Sequence, residues 1–396
     1  RKAQEPPMNI LHYTMTLDPM QGGVVAHVSD LARLVSDAGH EVTVAVPQHE
    51  PRPENLRGPD APRVIGLGPL VARGKILSRS QLARFMHLAA EADAVHLHET
   101  WDPGAIQIAR RLRRAGIPYA ATPHGMLDDW CMSYHPIRKH VFLRLFARRF
   151  FAGAAATLFC AQGELDQASA HIDISKCHVV PAATDLTDFQ QLPGPDIARD
   201  TIPGCEGDAP VVLFLSRIDH KKGLEVLVDA MPAIRDRHAD ARLVIAGAGE
   251  PSYVSSIEQR IADRGIGACT HLVGMIRGKA KVSLYQRAAT LALPTQQENF
   301  GLVLTECMAA ETPVITTKAV DIWPEIQACN GGDLVDRTPD AFATAVGDLI
   351  DAPDRAVQMG RSGREWVMRT LSSESLTRQF LSIYESVVRN ARDTGR

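Results

Sequence analysis

The apolar positions of this chain change period again and again, from short runs that read as strands to stripes at three- and four-residue spacing that read as helices. The first run covers residues 9–14. After the loop Asp18-Pro19-Met20-Gln21-Gly22-Gly23, Val24, Val28, Leu31, Leu34 and Val35 fall at helical spacing, and Gly39 stops that helix before a second run at 42–46. The alternation continues with strands predicted over 94–98, 119–122 and 156–160 and helices over 105–115 and 137–151. Between 180 and 210 it breaks into a stretch rich in Pro, Gly and Asp, including Leu192-Pro193-Gly194-Pro195-Asp196 and Ile202-Pro203-Gly204, which marks a domain boundary. A second series then runs through 211–215, 224–237, 242–246, 253–264 and 271–273, followed by a strand ending at Pro294, a turn, a helix over 301–310 and a strand over 313–316. Helical stripes at 341–350, 355–370 and 375–388 close the chain. Strands alternating with helices predict an α/β fold of doubly wound parallel sheets. Two domains of one architecture follow, 8–190 and 205–373, with 374–396 as a closing helical segment.

Composition narrows the function. A length of 396 residues, 45% of them hydrophobic and 22% charged, suits two buried cores. A formal charge of −3 and a pI near 6.6 give no basic footprint, so no nucleic-acid partner is expected. The seven cysteines are scattered without a C-x-x-C pair, which fits a reducing compartment. No apolar stretch is long enough to span a bilayer, and the opening RKAQEPP lacks the apolar core of a signal peptide. The expected location is the cytoplasm.

Chemistry concentrates in the segment PTQQENFGLVLTECMAAETPVIT, where Glu298 and Glu306 lie eight residues apart around a strand-to-helix turn. The first amides of that helix, at Phe300, Gly301 and Leu302, face whatever lies above the sheet edge and favour a phosphate. Glu298 stands before the helix and Glu306 within it, so one carboxylate can meet a sugar ring and the other a ribose. At the end of the 211–215 strand, Arg217 and Lys222 place two cations over a loop, as stabilisation of a departing diphosphate requires. Ligands of open α/β sheets bind at such carboxyl edges.

Glu298-Asn299-Phe300-Gly301 followed by Glu306-Cys307-Met308-Ala309 resembles the signature of the retaining glycosyltransferases of group 1, or family 4, and the resemblance extends from Met8 to Tyr384. It implies two facing Rossmann-like domains of the GT-B architecture with a deep interdomain cleft, and a closing helix that returns to the first domain. It also implies transfer of a sugar, with retention, from a nucleotide-diphosphate sugar (UDP- or GDP-linked) to a glycan, lipid-linked or small-molecule acceptor in cell-surface polysaccharide or glycoconjugate biosynthesis. No separate cofactor is implied. Under the resemblance Arg217 and Lys222 bind the diphosphate and Glu298 meets the sugar hydroxyls. Glu306 meets the ribose. The glycines of Gln21-Gly22-Gly23 leave room for diphosphate and acceptor, Gly247 of Gly247-Ala248-Gly249 lines the nucleotide cleft, and the backbone around Met275 meets the base. His124, in Pro123-His124-Gly125, contacts the donor sugar near its reacting face.

No metal is expected, because the histidines are dispersed in sequence and Asp128-Asp129-Trp130 is a poor match to the Asp-x-Asp of metal-dependent transferases. A front-face reaction is the leading mechanism. Asp102, Asp128 and Asp129 either position the acceptor or cap local structure. One departure stands out: Pro181-Ala182-Ala183-Thr184-Asp185 replaces the family's Pro-Asn-Gly-Val-Asp near the hinge. A nucleotide-sugar epimerase and a non-catalytic carbohydrate-binding relative are the alternatives, and the set Arg217, Lys222, Glu298 and Glu306 points to transfer.

The 137–151 segment mixes Arg138, Lys139, Arg144, Arg148 and Arg149 with aromatics. Such a helix either lies on an anionic membrane, bringing the protein peripherally to the inner face and a lipid-linked acceptor, or faces the core with a solvated cationic side. In both cases Val141, Leu145 and the phenylalanines are expected to pack.

Overall fold

The computed structural model describes residues 6–19, 22–48, 51–68 and 76–393. Met20 and Gln21 lie outside the described residues. Contacts divide the chain into two compact units: Asp185–Ser372 forms one, and the residues before it together with those from Ser373 onward form the other.

In the first unit the strands β1 (Asn9–Tyr13), β2 (Glu41–Val46), β3 (Arg63–Gly66), β4 (Ala94–His98), β5 (Tyr119–Thr122), β6 (Ala156–Phe159) and β7 (Cys177–Val179) form one sheet in the order β3-β2-β1-β4-β5-β6-β7. In the second, β8 (Val211–Leu215), β9 (Arg242–Ala246), β10 (Thr270–Gly274), β11 (Thr290–Leu293), β12 (Val314–Thr316) and β13 (Gly332–Leu334) are ordered β10-β9-β8-β11-β12-β13. Every strand pair is parallel. Neither sheet closes into a barrel. The strand order reverses between β1 and β4 in one sheet and between β8 and β11 in the other, the switch points where such sheets bind ligands. Parallel strands need helical crossovers, so the sheet faces are covered and the runs that build them are apolar; Val211 to Phe214 are fully buried.

Side chains alternate across the first sheet and give it two unlike faces. Leu11, Tyr13, Val95, Leu97, Tyr119 and Ala121 join Phe85, Ile108 and Leu112 from the helices Arg79–Glu91 and Pro103–Ala115 in one apolar core. Each large side chain buried there contributes about 2 kcal/mol. The opposite face carries His12, His96, His98 and Thr122, beneath the helices Gly23–Asp37 and Ser373–Asp393.

The 137–151 segment departs from expectation. It is a helix Pro136–Phe142, a π-helical turn Leu143–Ala147 and a helix Arg148–Ala152. Leu143, Ala147, Phe150 and Phe151 are buried, but Val141 and Leu145 are 52% and 53% exposed and Ile137 is 81% exposed. The wider turn shifts the phase of the helix, so the buried stripe runs through 143, 147 and 150 and leaves 137, 141 and 145 on the outer side.

Candidate functional site

The loops that leave β8 and β11, neighbours at the second sheet's switch point, are stitched together by backbone. The Lys221 carbonyl accepts from Gln296 N–H (2.8 Å) and from Thr295 Oγ1 (3.1 Å). The β8 loop ends in the short 3-10 turn His220–Lys222, opened by Asp219, whose side chain accepts from Lys221 N–H, and closed by Gly223. Gly223 has φ 71°, and a Cβ there would sit 2.1 Å from the Pro294 carbonyl oxygen, so a side chain would force the two loops apart. The turn buries Lys222 and aims its ammonium at Glu298, with which it forms an ion pair. Glu298 is held from the other side, its N–H donating to the Ala319 carbonyl and its carbonyl accepting from Asp321 N–H, both at 2.9 Å. Fixed backbone and low exposure make this charge pair a rigid feature. Arg217, on the same loop as Lys222, is exposed and only 3.8 Å-paired with Asp219, so its guanidinium is available to a ligand.

Beyond Glu298 the chain turns through Phe300 and Gly301 into the helix Leu302–Ala309. Gly301 has φ 75° and serves as N-cap without a side-chain hydrogen bond. The N–H groups of Phe300, Gly301 and Leu302 have no hydrogen-bond partner among the described residues, as expected of an uncapped helix start. Glu306 lies one turn further on. Its Oε1 accepts from Lys281 Nζ (2.8 Å) and its Oε2 from Tyr285 Oη (2.7 Å). Burial, and then the Glu306 charge, push the Tyr285 phenol well above its ordinary pKa, so it stays a donor. Each carboxylate oxygen keeps a second lone pair for a hydroxyl. Gly247 and Met275 lie beside the neighbouring strands: Gly247 N–H donates to the Gly274 carbonyl (2.8 Å), and Met275, next after β10, is half exposed.

In the first unit, Gly22 (φ 85°) is the N-cap of the helix Gly23–Asp37, in the loop that follows β1 at that sheet's switch point. Asp102 caps the helix Pro103–Ala115 by accepting from Gly104 and Ala105 N–H at 2.8 and 3.0 Å, and Asp128 likewise caps the short helix Asp129–Ser133. These bonds make both aspartates caps.

The histidines are not dispersed in the fold, which corrects the sequence expectation. His12 of β1, His96 and His98 of β4, His27 of the helix Gly23–Asp37 and His124 beyond β5 converge in one cluster, with four of the five buried and His124 partly so. His12 stands opposite His96 in the β1–β4 register, and the spacing His96-Leu97-His98 puts both β4 rings on one face. That His-x-His alternation on a strand was the readable signal. His96 bonds Tyr384 Oη through Nδ1 (2.9 Å) and Thr122 Oγ1 through Nε2 (2.8 Å). Burial, reinforced by the charge of His27, lowers His12 to about 3, and burial lowers His27 to about 4. His96, His98 and His124 are also held well below the ordinary range, first by burial and then by neighbouring imidazoles. Two triads, His12–His96–His98 and His27–His98–His124, offer nitrogens within 4.8 Å of one another, and no such group among the described residues includes Glu298 or Glu306.

The sequence reading thus named Lys222 and Glu298, which the fold joins, and Arg217 and Glu306 on the same unit. It missed Lys281 and Tyr285, whose helix Gly278–Arg287 carries no sequence motif.

Each unit matches a family of known proteins. Residues 200–366 match the family model described as glycosyl transferases group 1, and residues 21–188 match that of glycosyltransferase family 4. The chain belongs to the group 1 glycosyltransferases. It is 27% identical over 382 residues to a GDP-mannose-dependent alpha-(1-6)-phosphatidylinositol monomannoside mannosyltransferase of Mycobacterium tuberculosis, covering 90% of this chain and 93% of that one. It is 32% identical over 228 residues to a D-inositol 3-phosphate glycosyltransferase of Corynebacterium kroppenstedtii, covering 55% and 49%. Among solved structures, the fold is shared with a sucrose-phosphate synthase of Thermosynechococcus elongatus (TM-score 0.80, 22% identity, 97% of this chain and 100% of that chain). It is also shared with Anabaena HepE in complex with UDP and glucose (TM-score 0.78, 18% identity, 96% and 100%).

Proposed function

We propose that the chain is a retaining hexosyltransferase whose donor is a nucleotide-diphosphate sugar held by the second unit, without a metal ion. The observation that carries this is the partly buried Lys222–Glu298 pair at the β8–β11 switch point, with Arg217 on the same loop and open helix amides directly after it. Lys222, Arg217 and the amides of Phe300 to Leu302 take the diphosphate, and Glu306, oriented by Lys281 and Tyr285, takes the ribose. Glu298 accepts from the sugar hydroxyls, and the ion pair with Lys222 suits a positioning carboxylate better than a nucleophile. To His124 we assign a contact to the donor sugar.

In the front-face reaction the bond from the anomeric carbon to the phosphate oxygen breaks, and its electrons stay with the phosphate. The acceptor oxygen bonds to the same face of the oxocarbenium-like carbon and passes its proton to the departing phosphate. Fixed cations stabilise the charge that grows there.

GDP-mannose is the first donor to test and phosphatidylinositol monomannoside the first acceptor, because the relative in Mycobacterium tuberculosis is named for both. An exposed apolar stripe supports a lipid-linked acceptor. Ile137, Val141 and Leu145 lie four residues apart on the outer side of the 137–151 segment, with Tyr134 and Phe146 also exposed and Arg138, Arg144, Arg148 and Arg149 interspersed. No described helix is long and apolar enough to cross a membrane.

The test is a thermal-shift panel of nucleoside diphosphates and their sugars, followed by transfer to vesicles carrying phosphatidylinositol monomannoside and anomeric NMR of the product. Donor-dependent stabilisation and a product with the donor's anomeric configuration are expected. Stabilisation by no nucleotide sugar overturns the donor assignment, and an inverted product overturns retention.

A further inference from the structure

Three of the clustered histidines are linked end to end. His12 Nδ1 lies 3.0 Å from His98 Nε2, and His98 Nδ1 lies 2.9 Å from His124 Nε2. A neutral imidazole has one N–H and one lone pair. His98 spends both nitrogens inside the chain, so it must receive one hydrogen bond and give the other, and every proton in the chain points the same way. Only two arrangements exist. If the protons point toward His12, then His12 Nε2 carries an N–H; if they point toward His124, His12 Nε2 carries a lone pair. That nitrogen is buried and has no partner in the structure. A stranded buried N–H is the rarer and costlier of the two.

We infer that His12, His98 and His124 form a directional hydrogen-bond chain that fixes the proton of His124 on Nδ1, so that His124 presents an N–H donor at its free end. His12 donates to His98, His98 donates to His124, and both are positioning residues for the ring that ends the chain. This rests on the reading of His124 as a donor-sugar contact. His124 is the only member of the three that is partly exposed, and its backbone is held at φ 55°, an unusual conformation for a side chain that only needed to be buried. The low basicity of all three rings keeps them neutral at physiological pH, which the chain requires.

His27 Nδ1 accepts from Ala183 N–H (3.0 Å), so its own proton sits on Nε2, a buried nitrogen that likewise has no hydrogen-bond partner, and His27 cannot take a proton from His124. The same accounting argues against a metal in either triad, because the lone pairs of His27 and His98 are already engaged and both nitrogens of His96 have partners.

The test is a two-bond 1H–15N spectrum of the full chain labelled in its histidines, at neutral pH, with the His124 signals assigned by their loss in His124→Gln. The expected result is a single neutral tautomer of His124 protonated on Nδ1. His98→Phe and His12→Phe should convert it to a mixture, whereas His12→Asn, whose amide N–H can replace the Nδ1 donor, should preserve it. Turnover in the two Phe variants should fall in proportion to the Nδ1 tautomer that remains, about twofold for an even mixture, with little change in the donor KM. A wild-type His124 protonated on Nε2, or charged, overturns the chain by itself, whether or not the variants fold. The tautomer as expected, with full turnover in His124→Gln, upholds the chain and overturns instead the sugar contact assigned to His124.

Discussion

Acid should unfold the first unit selectively. An imidazole held neutral in the fold and free to protonate in the unfolded chain destabilises the native state as pH falls, because the unfolded state then binds more protons. For His12 and His27 the window opens at the unfolded value of 6.5 and runs down to folded values of about 3 and about 4; their full contribution is present above 6.5. Between pH 7 and pH 5 each such histidine costs about 2 kcal/mol, so the two together cost on the order of 4 kcal/mol. His96, His98 and His124 act in the same direction. Against a domain stability of about 5–15 kcal/mol this is a large fraction. Hydrogen exchange read by mass spectrometry, corrected for intrinsic rates, should show protection of β1 and β4 peptides falling steeply from pH 7 to pH 5. Peptides of β8 and β11 provide the internal reference, since the carboxylates in that unit that hydrogen bonds shift, Glu206, Asp229 and Glu250, are all shifted down, away from this window. Equal protection of β1 and β4 at both pH values would mean that the cluster is hydrated or charged in the native state, and the burial argument would fail.

Glu306→Gln should weaken nucleotide-sugar binding about tenfold, because a charged acceptor is replaced and the Lys281 ammonium loses its partner; isothermal titration decides, and unchanged affinity removes Glu306 from the ribose contact. Lys222→Ala and Arg217→Ala should each lower turnover more than donor affinity, since leaving-group charge peaks in the transition state; an effect confined to KM in saturation kinetics would reduce them to docking residues. Activity should survive excess EDTA, and loss restored by magnesium or manganese would place a metal in the reaction. Replacing Arg144, Arg148 and Arg149 by Gln should reduce binding to anionic vesicles by roughly 1 kcal/mol per cation, as measured by co-sedimentation, while donor hydrolysis in solution stays constant; salt-independent or absent vesicle binding refutes the membrane contact.

The central strands were legible because full burial leaves an unmistakable apolar run, as in β8. Of the edge strands only β10 was. β7 and β13 have only three residues each, and β3 follows a Pro- and Arg-rich stretch in which periodicity is lost, so the helix after it was passed over despite its Ser78–Gln81 capping box. Lys222 and Glu298 were readable as loop residues at strand ends, but nothing in their spacing announced that they would touch; that depends on β8 and β11 being neighbours, a matter of topology. The histidine cluster was hidden for the same reason. Its members come from four separate stretches of the chain, and only the β1–β4 register sets His12 against His96. The outward stripe at 137, 141 and 145 was misjudged because a π-helical turn, invisible to a pattern of fixed period, rephased the helix.

The helix Ser373–Asp393 lays Leu376, Phe380, Tyr384 and Val387 into the first unit, although that unit otherwise ends at Thr184. A ribosome therefore delivers the second unit whole before it delivers the last piece of the first. While residues 185–372 are being made, the sheet face bearing His96 has no Tyr384 to cover it, and the N-terminal portion waits as an open, unfinished body. Translation that stops near residue 372 should release a product whose second half is complete and whose first half is a substrate for chaperones and proteases.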